Sequence, residues 1–312
     1  MESNDKKEIL FYYESRQNPN GDPGFENQPR LMPDGTIMVT DVRIKRTIRD
    51  HAKNALGQTI FVDYGKEGTP VTADGRAKEI VKDLKGDVIA KLLTSTFDTS
   101  LFGALVTIRE KKDEKQEGQS AKLTGPVQFG LGRSVNQVQI INPTISGRFV
   151  GKEKDTKQQF STFGKFYSVE YALIKVHGAI NPTNLGGYLE DKKIAAKFEE
   201  NEKNLFRCLW DGTNQLVTRS KFPQRSILFL EITYDSTIYN DLPRIVSEKN
   251  EMRGKATTLI QSPFEFDNLV ETLGKRKKEI KLVRIKGCEE LGKDAKSLAT
   301  KLRGKGIKVE EL

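Results

Sequence analysis

Cysteine and histidine are scarce in this chain of 312 residues: Cys208, Cys288, His51 and His177 are all that it has. A histidine-rich zinc site is excluded by that scarcity, and a Cys–His nucleophile pair is disfavoured. Two thiols so far apart are expected to be buried or idle. No apolar run approaches the roughly 20 residues that cross a bilayer, and Met1 to Lys7 is too charged to open a signal peptide, so the cytoplasm is the expected location. The single tryptophan, Trp210, lies in an apolar helical run and reads as core. Glycine-rich phosphate loops are also missing. Gly130-Leu131-Gly132 lacks the third glycine of a dinucleotide fingerprint, and R-G-K-A-T-T at 253–258 lacks the upstream glycine of a P-loop. No metal or cofactor is expected.

What is present is charge. With 36% hydrophobic and 30% charged residues the composition is that of a soluble globular protein, sized for one large domain or two small ones. The net charge of +9 points to a polyanionic partner. Its distribution is uneven, because Lys275 to Lys308 holds 13 basic and 4 acidic residues and so carries the whole surplus. Nucleic-acid binding by the balanced remainder must rest on local patches, while the tail reads equally well as a lysine-rich solvated face.

The most informative stretch runs from Arg16 to Arg49. R-Q-N-P-N-G-D-P and P-R-L-M-P-D-G force turns, and V-T-D-V-R-I-K-R-T-I-R then opens a helix. Thr40 or Asp41 caps it, Gly57 ends it, and Ile44, Ile48, Ala52, Ala55 and Leu56 make its buried stripe. Lys45, Arg49 and Lys53 form a parallel stripe flanked by Arg43 and Arg46, against only Asp41 and Asp50. An exposed loop followed by such a helix is a surface suited to gripping phosphates.

Elsewhere, Glu8 to Ser15 reads as a strand with Ile9, Phe11 and Tyr13 on one face. A short strand is expected at 59–64, a helix over Lys78 to Leu93 and a strand at Leu101 to Ile108. The charged tract Arg109 to Lys122 is expected to be a mobile surface loop. Q-V-Q-I-I at 137–141 alternates like a strand, and the return through Phe160 to Val176 suggests a projecting hairpin. Asp191 to Trp210 should be a helix and 225–234 a strand. The tail adds a helix near Phe264 to Lys278, a strand at Ile280 to Ile285 and a helix at Glu289 to Leu302. Without the insertions the order is strand, helix, strand, strand, helix, strand, which predicts an α+β, ferredoxin-like domain. The K/R-G-F/Y signature of the common RNA recognition motif is absent, so base stacking on the sheet is not the expected mode.

Several strings in this order resemble one family: N-P-N-G-D-P, V-T-D-V-R-I-K-R-T-I-R-D, F-D-T-S-L-F-G-A, T-G-P-V-Q-F-G-L-G-R-S-V-N, L-W-D-G and T-R-S-K. Together, over Glu8 to Tyr234, they are similar to the backbone subunit of type I CRISPR Cascade, nearest its type I-B branch, in the repeat-associated mysterious protein superfamily. The resemblance implies a hand-shaped protein. Its ferredoxin-like palm would take about 6–56, 95–133 and 166–312, a finger insertion about 57–94 together with the loop 109–122, and a thumb hairpin about 134–165. It also implies a non-catalytic role: many copies would coat a CRISPR RNA, present it for pairing with target DNA, and assemble with other Cascade subunits. Arg43, Lys45, Arg46, Arg49 and Lys53 would lie on guide phosphates, with Arg219, Ser220 and Lys221 contacting RNA from the loop before the last palm strand. Ile141, Ile145 and Phe149 would wedge between bases.

The rival is a metal-dependent endoribonuclease like the related type III backbone subunits, with Asp22 or Asp34 as the acidic loop residue and Asp41 nearby. Both candidate aspartates sit in ordinary turn sequences, N-G-D-P and P-D-G, and turn formation is the expected role.

Overall fold

A computed structural model describes residues 5–65, 68–112, 115–147 and 162–312. The architecture is α+β and is organised on Lys6–Ser15, a strand that pairs antiparallel with Ala172–Ile180 on one side and Gln224–Tyr234 on the other. Alternation along this strand sends Ile9, Phe11 and Tyr13 into one core and Leu10 and Tyr12 into a second. Burial on both faces explains its run of aromatic and aliphatic residues. The polar residues in the strand have partners: Lys7 Nζ reaches Glu202 at 2.5 Å, and Glu8 accepts the backbone N–H of Leu242 at 2.9 Å.

The sheet continues past Gln224–Tyr234 to Ile280–Gly287 and Val309–Glu311, the last pair being parallel and all other pairings antiparallel. On the other side Ala172–Ile180 pairs with both Val127–Phe129 and Gly132–Ser134, and the path ends through Ile37–Val39, Gln28–Leu31 and Gly21–Asp22. Helices Asp41–Leu56, Val88–Ser95, Phe97–Phe102 and Lys192–Asn214 cover one face. Asp267–Lys275 and Gly292–Gly304 cover the other. Trp210, Cys208 and Cys288 are buried, and both thiols are free. Burial pushes Cys208 up to about 12 and Cys288 up to about 11, so neither is a ready thiolate. Among the described residues no helix is long and apolar enough to cross a membrane.

Four expectations are corrected. The tract 109–122 is not a loop: Gly103–Lys112 and Lys115–Thr124 pair in register as a hairpin, whose backbone hydrogen bonds need no apolar core. The hairpin closes where Gly103, at φ 81°, meets Gly125; a Cβ on Gly103 would lie 2.1 Å from the carbonyl oxygen of Leu123. Residues 59–64 are irregular, with bends at 61–63, instead of a strand. The helix expected over Lys78 to Leu93 is two, Ala73–Val81 and Val88–Ser95, because Lys82 and Gly86 take positive φ and Asp87 caps the second by accepting from Ala90 N–H. Ala55 is exposed and leaves the helical stripe.

Those bends are explained by Asp98, whose carboxylate is fully buried. It accepts Arg49 Nε at 2.8 Å and the N–H groups of Phe61 and Val62 at 2.7 and 3.0 Å. One side chain thereby ties three segments distant in sequence. Removing one partner leaves an uncompensated buried charge, so Arg49→Ala or Asp98→Ala should each cost about 3–5 kcal/mol. Urea unfolding of the two variants and the wild type measures this, and unchanged midpoints would refute the structural role.

Candidate nucleic-acid interface

Thr40 caps the basic helix by accepting from Arg43 N–H, and Gly57 at φ 63° closes it. The five cations on this helix do not form one free stripe. Arg49, expected on a phosphate, is 8% exposed and paired with Asp98, with its guanidinium 5.0 Å from the Phe102 ring centroid, which gives it a structural role in this fold. Lys45 binds Asp41 at 3.2 Å and Gln128 at 2.9 Å. Arg46 pairs with Asp50 at 2.6 Å and approaches Asp63, which Lys53 also holds. Arg43 differs: among the described residues it makes no ion pair, and its Nη2 donates to Thr47 Oγ1 at 2.8 Å.

Arg43 instead lines a cleft of about 610 Å³ with Arg219, Ser220 and Lys221. The cleft's other walls are the Asn18–Asn27 loop and Lys165, Phe166 and Tyr167 at the base of the arm. Local chemistry builds each wall. Asn20 Oδ1 accepts from both the N–H and the hydroxyl of Thr40 at 2.8 and 2.9 Å, which pins the N-P-N-G-D-P loop to the helix cap. Glu26 takes φ 50° and accepts Lys165 Nζ and the Tyr167 hydroxyl, each at 3.0 Å. Those two hydrogen bonds hold its carboxyl below the usual range. The Arg219 guanidinium lies 5.7 Å from the Phe166 ring centroid. Burial, then the charge of Arg43, pushes Lys221 down to about 8.

This arrangement brings together Arg43, Arg219, Ser220 and Lys221 and leaves Lys45, Arg46, Arg49 and Lys53 outside the cleft. Sequence reading missed Asn20, Glu26, Phe166 and Tyr167 as site residues; the triplet K-F-Y at 165–167, a cation followed by two aromatics, was the available signal. Residues 140–147 pair antiparallel with 162–169 to form the arm. Ile141 is 44% exposed there. Ile145 lies in the strand Thr144–Gly147, and Phe149 lies outside the described residues.

The acidic candidates fill turn roles. Asp22 caps Gly24 N–H at 3.0 Å and pairs with Arg30 at 3.0 Å. Asp34 accepts from the hydroxyl of Thr36 at 2.6 Å and from Arg133, and Asp41 pairs with Lys45. Among the described residues no group of three or more His, Cys, Asp or Glu is placed to hold a metal ion.

Comparison with known proteins is consistent across most of the chain. The family model for CRISPR-associated protein Cas7 matches residues 4–266. A curated CRISPR-associated protein Cas7 of Haloferax volcanii is 27% identical, over 94% of this chain and 90% of its own length. Two solved chains share the fold. One, from a CRISPR RNA-guided surveillance complex in a pre-nicking state, has a TM-score of 0.53 at 12% identity, covering 98% of this chain and 96% of that one. The other, from a CRISPR RNA-guided surveillance complex, has a TM-score of 0.52 at 11% identity, covering 91% and 89%. With the family match running from before the first strand to beyond the last wall of the cleft, this chain belongs to the CRISPR-associated protein Cas7 family.

Proposed function

We propose that the chain is the guide-binding backbone subunit of a type I Cascade surveillance complex, repeated head to tail along one CRISPR RNA and presenting it to target DNA. The observation that carries this is the cleft: N-P-N-G-D-P and the start of the basic helix meet the distant T-R-S-K string around uncompensated cations. Arg43, Arg219, Ser220 and Lys221 are its phosphate contacts, with Lys45, Arg46 and Lys53 as charge at the flank. Ile141, Ile145 and Phe149 serve as the wedge. Phosphate-directed contacts suit a subunit that must accept any guide sequence.

The same reading makes the body a ferredoxin-like palm. Supporting it, the strands run in the order Gln224–Tyr234, Lys6–Ser15, Ala172–Ile180, Val127–Phe129, while the helices Asp41–Leu56 and Lys192–Asn214 pack on one face. Palm segments of about 6–56, 95–133 and 166–312, a finger of about 57–94 with the tract 109–122, and a thumb of about 134–165 complete the hand. Its role is scaffolding in the cytoplasm, without intrinsic cleavage.

Purification from the native host and sequencing of the bound nucleic acid tests the assignment; uniform guides with repeat-derived ends are expected, and heterogeneous cellular RNA would reject it. Arg43→Glu and Lys221→Glu should weaken binding of single-stranded RNA and lower the salt slope by about 0.7 for each phosphate that is no longer neutralised. Unchanged slopes in a filter-binding titration would remove these residues from the interface.

The depressed pKa of Lys221 gives a signed pH dependence. In the free protein it loses its proton as pH rises through about 8, whereas a bound phosphate favours the charged form. Affinity for oligoadenylate should therefore fall as pH rises past that value, by up to about tenfold per unit for one linked proton. Lys221→Arg should flatten the profile. Incubation of the pure protein with guide, complementary RNA or complementary DNA in magnesium or manganese should leave every strand intact; cleavage lost in Asp22→Ala or Asp34→Ala would favour the endoribonuclease.

A further inference from the structure

The cleft is rich in donors and short of free acceptors. Arg43, Arg219 and Lys221 supply charged N–H groups that suit phosphate oxygens. The acceptors on its walls are largely engaged: Glu26 takes Lys165 and the Tyr167 hydroxyl, and Asn20 Oδ1 takes the N–H and hydroxyl of Thr40. Asn18 is the exception. It lines the cleft at 3% exposure, and its Oδ1 is the one buried side-chain polar atom of the lining that has no hydrogen-bond partner among the described residues. An acceptor shielded from water and lacking a donor is unfavourable, and such an atom in a binding cleft asks for a donor from the ligand.

The loop itself fixes which end of the amide is free. Asn18 Nδ2 donates to the Asn27 carbonyl at 2.5 Å, and Asn27, at φ 59°, donates its own N–H to the Asp22 carbonyl at 2.8 Å. Turning the Asn18 amide over would set two oxygens against each other at that distance, so the oxygen takes the unpartnered position. Gly21 belongs to the same arrangement, since a Cβ there would lie 2.7 Å from the Asn27 oxygen and 3.2 Å from Asn18 Nδ2. The string N-P-N-G-D-P therefore has two tasks. Asn20 pins the loop to the helix cap, while Asn18 and Gly21 hold one acceptor oxygen in a fixed orientation within the cleft of cations.

The chemistry of the missing donor narrows the ligand. A phosphodiester carries no proton at neutral pH and cannot satisfy Oδ1, and a deoxyribose within a strand offers no hydroxyl. A ribose does: its 2′-hydroxyl donates, and it belongs to the sugar next to the phosphate that the cations hold. We propose that Asn18 Oδ1 accepts a 2′-hydroxyl of the bound strand, as the cleft adjusts around it, and so makes the cleft selective for RNA over DNA of the same sequence. This rests on the reading of the cleft as the guide site and adds a residue that distinguishes the sugar where the cations register only phosphate. Such a contact is blind to the base, as a site that takes any guide has to be.

The test compares short uridylate strands built on ribose, 2′-deoxyribose and 2′-fluororibose, titrated against the full chain over a range of salt. The fluorinated sugar keeps the ribose pucker but has no proton to donate, so it separates hydrogen bonding from backbone shape. The wild type should bind the ribose strand about fivefold more tightly than either of the others, as expected of one neutral hydrogen bond. Asn18→Ala should bind all three alike and keep the wild-type salt slope, because a neutral contact releases no counterion. If thermal melting shows that Asn18→Ala does not fold, Asn18→Ser, whose hydroxyl keeps a donor in the loop, replaces it under the same criteria. Arg43→Glu with Lys221→Glu should weaken all three strands and lower the slope; unchanged binding there would reject the cleft, and this contact with it. Equal wild-type affinity for the ribose and fluorinated strands, or a wild-type ratio retained in the Asn18 variant, would overturn the hydroxyl contact and leave the cleft standing.

Discussion

The buried pair of Arg49 and Asp98 is the constraint on which the interface depends. A carboxylate without solvent must find donors, and Asp98 finds three: one on the basic helix and two on the backbone that follows it. This fixes the rotation of the helix about its axis. Arg49 is turned inward, and Arg43, six residues earlier, is carried to the side where the T-R-S-K loop and the first loop converge. The strings V-T-D-V-R-I-K-R-T-I-R and F-D-T-S-L-F-G-A are thus two halves of one structural device, with binding a consequence of how it orients its neighbours.

Charge compensation then divides the remaining cations. Lys45, Arg46 and Lys53 each lie within reach of an aspartate, and two of them share Asp63, whose side chain is 2% exposed. Arg46 and Lys53 thereby help to hold the bent segment after the helix. Whatever they add to stability, these ion pairs lower the local potential available to a polyanion. Arg43, Arg219 and Lys221 keep theirs, and their field therefore concentrates in one cleft.

Much of this was legible in the sequence. The first strand, the basic helix, the long helix to Asn214 and the C-terminal strand and helix all carry strong periodicity or clear caps, and they occur where the pattern places them. The hairpin at 103–124 was not legible, because its pairing is made by backbone groups and its charged residues resemble those of a loop. Nor was the burial of Arg49. Its helical spacing puts it off the Ile44/Ile48 stripe, and only the arrival of Asp98 from another segment makes that position interior. The cleft was legible in parts: its motifs stood out singly, while the contacts of Glu26 with Lys165 and Tyr167 depend on chain closure over a long separation.

The cleft is also where local stability yields to binding. Arg43, Lys165, Arg219 and Lys221 face one carboxylate, Glu26, which engages Lys165. Burying Lys221 beside another cation without an anion is unfavourable, and its depressed pKa registers first that burial and then the charge of Arg43. Glu26 and Asn27 add backbone strain at φ 50° and 59°. Folding tolerates such a site because the two cores and the Asp98 network lie behind it, and a phosphate entering the cleft, as proposed, would relieve the repulsion that the fold alone cannot.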